Sequence, residues 1–231
     1  MAAHEAHEVP AEGTAGLSRR RLPRGFFARP AVEVAPDLLG RTLVRALADG
    51  ARLSAAIVET EAYEPGDPAS HGYRRRSERN ATMFGPPGRL YVYFTYGNHW
   101  MMNVVTRRDG DPSAVLLRAA RPVEGLAEMA RRRGRERDLD LGSGPGKLCQ
   151  AMDVDRDLDG EDLVRGRRIW LEEGSPVAAA EIVSGIRVGI SSGLDRPWRF
   201  RVANDPFVSK GRPGPPAPSR RTRAGTYPST P

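Results

Sequence analysis

Short runs of alternating apolar and polar residues dominate the middle of the chain, and this pattern predicts strands more often than helices. Two predicted hairpins carry a recognisable turn, Asp49-Gly50 in the first and Gly97-Asn98 in the second. Because hairpins outnumber strand–helix–strand units, the pattern predicts an α+β domain built on antiparallel sheet. The predicted strands span residues 41–48, 53–63, 90–96, 101–106, 114–119, 169–171, 182–190 and 198–202.

Proline and glycine mark the expected helices. Pro30 stands in the first turn of one and Gly40 just past its end, and Pro122 is predicted to open another. Between the hairpins, residues 64–89 form a loop rich in Pro, Gly and Arg, and a loop this long inside a domain is usually functional. The predicted helices span residues 30–39, 122–133 and 147–152.

Composition divides the chain into one domain and two tails. Residues 1–25 are small and charged without periodicity and are predicted to be disordered. Residues 26–210 form the predicted domain, and residues 211–231 a second disordered tail that is rich in Pro, Ser and Arg. A solvated tail is the slightly favoured interpretation, and non-specific attraction to phosphate is the other. The tail arginines are Arg212, Arg220, Arg221 and Arg223.

The net charge, the cysteine content and the apolar runs of the chain limit which partners and which cellular compartment we expect. The 231 residues carry a net charge of +7, which favours a polyanion such as nucleic acid. Only two of the 36 basic residues are lysine, so coding bias toward arginine is the less favoured alternative. One cysteine excludes an intrachain disulfide, and four scattered histidines suggest no metal site. No apolar run approaches the roughly 18 residues of a membrane span. We expect a cytoplasmic protein, nucleoid-associated if bacterial, that binds no membrane.

Two carboxylates interrupt an otherwise apolar predicted strand. Alternation predicts that Glu59 and Glu61 share one face with Ile57 and Tyr63, about 7 Å from each other. Neighbouring carboxylates tend to differ in protonation, which suits acid–base chemistry at a glycosidic bond. The alternative is that they face solvent on an edge strand.

Arg118 helps to decide whether the two glutamates are buried or face solvent, because it ends the apolar run Val115-Leu116-Leu117. An arginine buried there needs an anionic partner, and Glu59 and Glu61 are the acids in a comparable setting. The alternative is an arginine whose head reaches solvent at the end of the strand.

The second hairpin is aromatic. Alternation places Tyr91, Tyr93 and Thr95 on one face, so that Tyr93 lines a pocket while Tyr96 projects at the tip from the other face. A projecting tip aromatic suits insertion at a DNA base step. The alternative is that all of these rings pack in the core.

Three polar residues elsewhere are further candidates. Asn103 lies in the return strand of the hairpin and needs hydrogen bonds if it is buried. His71, in the long loop, either contacts a base, sugar or phosphate or lies on the surface. The loop Gly142–Lys147 lacks the spacing of a nucleotide triphosphate site, but Lys147 could hold one backbone phosphate. Cys149 after it is predicted to be a packing residue.

Taken in order, these segments resemble one family, the alkyladenine (3-methyladenine) DNA glycosylases of the mammalian-type fold. The resemblance covers residues 26–209, and the joint order of its motifs is more specific than any one of them. The matching motifs are Leu38-Leu39-Gly40, Ile57-Val58-Glu59-Thr60-Glu61-Ala62-Tyr63, Ala69-Ser70-His71, Arg79-Asn80, Met83-Phe84, Leu90-Tyr91-Val92-Tyr93, Tyr96-Gly97, Met102-Asn103, Val115-Leu116-Leu117-Arg118 and Ser143-Gly144-Pro145-Gly146-Lys147-Leu148.

The resemblance implies a role for each candidate. Glu61 becomes the general base that deprotonates the attacking water, Arg118 orients Glu61 and that water, and Glu59 becomes structural. Tyr96 fills the gap that the flipped nucleotide leaves in the duplex. The implied pocket for the flipped base is formed by Tyr63, His71, Tyr93 and Asn103.

The resemblance also implies a fold and an activity. The fold is a single mixed domain on a curved antiparallel sheet with peripheral helices, and its protruding hairpin enters the minor groove. The activity is that of a monofunctional DNA glycosylase without cofactor, a monomer that removes alkylated or deaminated purines from double-stranded DNA. One departure is Asn98, since the family usually has a large apolar residue there. The alternatives are a nucleoside hydrolase and a non-catalytic basic nucleic-acid-binding protein.

Overall fold

The structure, a computed structural model, describes residues 18–95 and 97–211. In that part of the chain one antiparallel sheet of nine strands carries four short α-helices, which confirms the predicted α+β class. The strands are β1 (Ser18–Arg21), β2 (Thr42–Ala46), β3 (Arg52–Tyr63), β4 (Leu90–Thr95), β5 (His99–Val105), β6 (Ala114–Glu124), β7 (Ile169–Gly174), β8 (Ile182–Gly185) and β9 (Arg199–Val202). The α-helices are α1 (Arg24–Phe27), α2 (Ala31–Asp37), α3 (Leu126–Arg133) and α4 (Pro145–Ala151).

The long strand β3 organises the sheet. The main path runs β1-β7-β2-β3-β6-β5-β4, and β9, with β8 on its far side, pairs with β3 beyond the end of β2. The first half of β3 therefore pairs with β2 and its second half with β9, while β6 runs along its other edge. Both predicted hairpins are present, since β2 pairs with β3 and β4 pairs with β5.

Two compensating bulges interrupt the pairing of β3 with β6. Val58 is the extra residue in β3, and Arg118 is the extra residue in β6. Leu53, Ala55 and Ile57 lie in the apolar core before the bulge, whereas Ala62 does so after it. A bulge shifts the alternation by one residue. The prediction that Ile57 shares a face with Glu59 and Glu61 is therefore wrong.

The main apolar core joins the helices to one face of the sheet. Leu90, Val92 and Val104 contribute to it from the second hairpin and its neighbours, together with side chains of α2, α3 and α4. The opposite face carries a smaller cluster that includes Tyr91 and Val105. Strict alternation along β4 and β5 thus directs Tyr91, Tyr93 and Asn103 to the side away from the helices, whereas Trp100 packs against the main core.

The predicted helix start at Pro122 is wrong. Strand β6 continues to Glu124, and Pro122 lies opposite Ala55 where the register shifts. A proline, which lacks an N–H, is tolerated at such an irregularity. Gly125 then turns the chain with φ of 77°, and a Cβ there would lie 2.4 Å from Leu53 Cδ2, so α3 begins only at Leu126.

Two further boundaries differ from the predictions. Strand β8 ends at Gly185 rather than running to residue 190, because β9, its pairing partner, is only four residues long. The predicted N-terminal tail of residues 1–25 is wrong in its last eight residues, since β1 pairs with β7 and α1 begins at Arg24. No helix in the described part of the chain has the length and apolar character of a membrane span.

Candidate active site

The paired bulges bring two glutamates and one arginine together inside the protein. Glu59 and Glu61 are fully buried, and Arg118 is only 5% exposed. Arg118 donates from Nε to Glu59 Oε1 at 3.0 Å and from Nη1 to Glu61 Oε2 at 3.4 Å. The alternative in which Arg118 reaches solvent is therefore wrong, and so is the one in which the glutamates face solvent.

Glu59 is saturated with hydrogen bonds. Besides Arg118, its Oε1 accepts from Arg199 Nε at 2.7 Å and from Ser209 Oγ at 3.0 Å. Its Oε2 accepts from the Ser209 backbone N–H at 2.7 Å. These four donors, three on Oε1 and one on Oε2, equal in number the roughly four acceptor positions of a carboxylate. Glu59 thereby ties β3, β6, β9 and the C-terminal end of the described chain together.

Glu61 has fewer donors in an equally buried setting. Oε1 accepts from the Val188 backbone N–H at 2.6 Å, and Oε2 accepts from Tyr63 Oη at 3.0 Å and from Arg118. These three donors from the described residues leave one of about four acceptor positions for a further partner. Burial raises the pKa of Glu61 above its usual value, against the opposing effect of Arg118.

The neighbours of Glu61 keep their protons. Burial raises the pKa of Tyr63 well above its usual value, and the charge of Glu61 raises it further, so the Tyr63 hydroxyl remains a donor. Burial alone would lower the pKa of Arg118, but Glu61 and Glu59 outweigh it and the pKa is raised. Arg118 is therefore a permanent cation between the two carboxylates.

The predicted pocket residues line one cavity beside Glu61. The His71 ring lies 4.4 Å from that of Tyr93, edge to face, and His71 Nδ1 lies 2.9 Å from Tyr91 Oη. Asn103 is buried and donates from Nδ2 to the Tyr91 carbonyl at 3.1 Å. The cavity is lined by Tyr63, His71, Met83, Tyr91, Tyr93 and Asn103.

This cavity is narrow. Its volume is about 20 Å³, close to the space that one water molecule needs, so a flat ring enters only if the walls move. His71 is the wall residue with an exposed side, and its loop is held by Asn80, which donates from Nδ2 to the His71 carbonyl at 2.8 Å. Burial of the ring and the nearby Arg79 lower the pKa of His71, which keeps the imidazole neutral at pH 7.

A basic depression of about 540 Å³ adjoins the cavity at His71. Arg74 and Arg75 line it, and Arg76 follows directly. All three are exposed, and none forms an ion pair with any residue that the structure describes. Most other arginines of the domain bind carboxylates or backbone carbonyls, so these three present positive charge to the exterior.

Two further predicted site residues remain, Lys147 and Tyr96. Lys147 lies in α4, where its Nζ is 3.5 Å from Ser143 Oγ, and within the described residues it donates to neither glutamate. Tyr96 lies outside the described residues. Asn98 is exposed in the turn between β4 and β5. In the described segments no group of three His, Cys, Asp or Glu side chains is arranged to hold a metal ion.

Sequence reasoning missed the residues that arrive from the C-terminal part of the chain. Val188 and Ser209 donate backbone N–H groups to Glu61 and Glu59, more than 120 positions from them in sequence. A backbone donor leaves no signature in residue type. The one available signal was Arg187, a charged residue inside an apolar run that was predicted to be a strand.

The antiparallel sheet carries a buried Glu61–Arg118 pair and a small cavity lined by aromatic rings. This arrangement suits a class of protein that cleaves a bond beside a flat ring. The sequence profile of the family described as Methylpurine-DNA glycosylase (MPG) matches residues 25–206. The chain belongs to this methylpurine-DNA glycosylase family.

The matches to relatives extend over most of this chain and over most of the length of each relative. A "Putative 3-methyladenine DNA glycosylase" of Carboxydothermus hydrogenoformans is 48% identical over 189 residues, 82% of this chain and 98% of that protein. Proteins of the same name are 49% identical over 204 residues in Streptomyces avermitilis (86% and 95%) and 47% over 198 residues in Methanocella arvoryzae (84% and 98%).

Proposed function

We propose that the protein is a monofunctional DNA glycosylase that flips alkylated or deaminated purines, the 3-methyladenine class, out of double-stranded DNA. It hydrolyses the N-glycosidic bond and leaves an abasic site, which starts base excision repair. Family membership makes the chain a hydrolase of N-glycosidic bonds. In this proposal it acts on DNA as a monomer, at the nucleoid in a bacterium.

The observation that carries the proposal is the unequal occupancy of the two buried carboxylates. Glu59 accepts four hydrogen bonds, whereas Glu61 accepts three and retains one acceptor position. A water at that position donates one proton to Glu61 while its oxygen forms the bond to the sugar C1′. The bond from C1′ to the base nitrogen breaks, and the departing base takes the electron pair.

The aromatic cavity supplies selectivity in this proposal. Extruding a nucleotide costs a few kcal/mol, least where damage has weakened pairing or stacking. Alkylation places positive charge on the purine, which favours contact with the electron-rich rings of Tyr63 and Tyr93 and makes the base a better leaving group. A weak general base is then sufficient. Widening of the narrow cavity makes base capture a step separate from cleavage.

Duplex binding rests on charge and on the hairpin. The net charge is +7, and Arg74, Arg75 and Arg76 present unpaired positive charge beside the cavity entrance, where they suit phosphates flanking the flipped nucleotide. We propose that Tyr96 wedges into the gap left in the duplex. Tyr96→Ala should then weaken both binding and flipping, and unchanged affinity would remove the wedge from the proposal.

The arrangement favours water over an amine as the nucleophile. The chain has two lysines, and neither donates to Glu59 or Glu61 among the contacts of the described residues. A Schiff base with the sugar, which would lead to strand cleavage, needs a lysine there. The expected product is an intact strand with an abasic site.

The test is base release by the full chain under single-turnover conditions, from duplex DNA methylated at purines and from duplex containing hypoxanthine. Release without a nick supports the proposal. Glu61→Gln should keep its affinity for damaged duplex while release slows about 10²- to 10⁴-fold, the usual contribution of a general base. Glu136→Gln, an exposed glutamate outside the site, is the matched control.

Two outcomes would support the alternatives instead. Release from free nucleosides but not from duplex would indicate a nucleoside hydrolase. Binding of duplex without release from any substrate would indicate a non-catalytic binding protein. Near wild-type release by Glu61→Gln would remove Glu61 from its proposed role.

A further inference from the structure

Arg187 is the largest of the fully buried side chains in the described structure, and its partner Asp67 is also fully buried. Arg187 binds both carboxylate oxygens of Asp67, with Nη2 3.0 Å from Oδ1 and Nη1 on Oδ2. Its Nε is buried without a hydrogen-bond partner among the described residues. Burying an ion pair and an unpaired donor is unfavourable. Packing alone would therefore favour an apolar residue here.

The contacts of Arg187 converge on both sides of the proposed general base. Nη1 donates to the carbonyl of Ala62 at 2.9 Å, and Ala62 stands between Glu61 and Tyr63 in β3. The next residue after Arg187 is Val188, whose N–H donates to Glu61 Oε1 at 2.6 Å. One guanidinium thus fixes the backbone that carries Glu61 and the backbone that hydrogen-bonds it.

The same guanidinium also supports the cavity wall. It lies 4.7 Å from the centre of the Tyr63 ring and 5.3 Å from that of Trp198. Tyr63 lines the cavity and Arg187 does not, so Arg187 backs the wall rather than facing the space where a base would lie. Asp67, at the other end of the ion pair, begins the loop segment that leads to His71 on the cavity's open side.

We infer that the buried Arg187–Asp67 pair is the positioning element of this glycosylase site: it holds Glu61 and Tyr63 in register with each other, so that the water and the captured base meet at the correct distance. The inference rests on the proposed function and names two residues for it that act through their neighbours. Neither residue touches the water or the base.

Arginine is required in this role because of its shape. The planar group makes two bonds to Asp67 and a third to Ala62, while its central carbon lies near the centres of two aromatic rings. A lysine ammonium keeps the charge but cannot form the paired bonds to both Asp67 oxygens together with the bond to Ala62. Arg196, whose Nη1 lies 3.5 Å from Asp67 Oδ1, adds a second, partly exposed cation but reaches neither Ala62 nor Tyr63 by any contact of the described chain.

The experiment compares full-length Arg187→Lys, Arg187→Met and Asp67→Asn with a matched control, Arg52→Met. Arg52 also bonds two carboxylates, Glu124 and Glu172, and lies 5.5 Å from the centre of a tryptophan ring, but it lies at the start of β3, away from Glu61. Three quantities are measured: the single-turnover rate constant with saturating enzyme, the Kd for damaged duplex, and the pH profile of the rate.

Displacement by about 1 Å slows positioned chemistry about 10²-fold. We expect a loss of that order in Arg187→Met and at least about 10-fold in Arg187→Lys, with Kd changed less than about 3-fold, because ring contacts and phosphate contacts remain. Loss of the Val188 donor removes a bond that favours the ionised carboxylate, so the acid limb of the profile should move to higher pH. Arg52→Met should keep both the rate constant and the profile.

Rates are expressed per folded molecule, and Arg187→Lys decides the question if Arg187→Met does not fold. A wild-type rate constant and an unmoved acid limb in folded Arg187→Lys and Asp67→Asn overturn the inference, and the pair is then merely structural. That result leaves the proposed function intact, because wild-type protein and Arg52→Met still release the base. No release by the wild type overturns both.

Discussion

Glu59 and Glu61 stand two residues apart on β3 and share Arg118, yet one carboxylate is saturated with donors and the other is not. The two donors from Ser209 and one from Arg199 account for the difference. A saturated carboxylate cannot take a proton from water without losing a structural bond. The proposed division of labour between the glutamates therefore follows from the donors that the C-terminal part of the described chain places on each.

The main effect of Glu59→Gln should be a lower free energy of unfolding. The change leaves Arg199 with a neutral partner and leaves Arg118 with Glu61 as its one carboxylate partner among the described residues, and breaking a buried pair costs about 3–5 kcal/mol. Urea unfolding should show a lower midpoint with an unchanged slope. Glu136→Gln, on the surface, should stay within about 0.5 kcal/mol of the wild type. Equal stability of Glu59→Gln and the wild type would contradict the structural role of Glu59.

The rate of base release should fall in acid with a midpoint above the usual pKa of glutamate. Burial raises the pKa of Glu61 above 4.5, and only the ionised carboxylate accepts a proton. As the pH falls through this raised pKa, the active fraction and the rate fall together. The measurement is the single-turnover rate against pH on an N-alkylated, cationic purine, whose departure needs no added proton. A midpoint at or below 4.5 would show that Glu61 is not the titrating base.

Tyr93→Ala should weaken capture of the flipped base. Loss of base–aromatic stacking costs about 1–3 kcal/mol, or about 5- to 150-fold in affinity for duplex that carries the damaged base. Tyr93→Phe keeps the ring, so it should bind nearly as tightly as the wild type if stacking is the contribution. Equal losses in the two variants would point to the hydroxyl instead. Competition binding against undamaged duplex separates this effect from general DNA affinity.

Replacing Arg74 and Arg75 together with serine should reduce the salt dependence of DNA binding. Each phosphate contact that is lost lowers the slope of log K against log salt by about 0.9. Arg165 and Arg167 are also exposed and form no ion pair among the described residues, so serine at those two positions is a charge-matched control. If both pairs lower the slope equally, the effect reflects net charge and not a contact surface beside the cavity.

Much of the fold could be predicted because its signals are local. Alternation and the turns at Asp49-Gly50 and Gly97-Asn98 predicted both hairpins, and Pro30 with Gly40 predicted α2. The predicted helix start at Pro122 was wrong because a proline can either begin a helix or lie at an irregularity in a strand. Which of the two occurs depends on the strand that lies opposite it. That information belongs to the partner strand and is absent from the local sequence.

The spacing of Glu61 and Tyr63 and the isolation of Arg118 in an apolar run determined which side chains could meet, since a buried charge requires a buried partner whatever the fold. Tertiary structure alone decided how they meet. The bulges at Val58 and Arg118 turned them away from the core, and Val188, Ser209 and Arg187 came from distant segments to distribute the donors. The number of donors that reach each carboxylate depends on contacts between distant segments. Which glutamate retains an acceptor position is therefore decided by the tertiary structure and not by the local sequence.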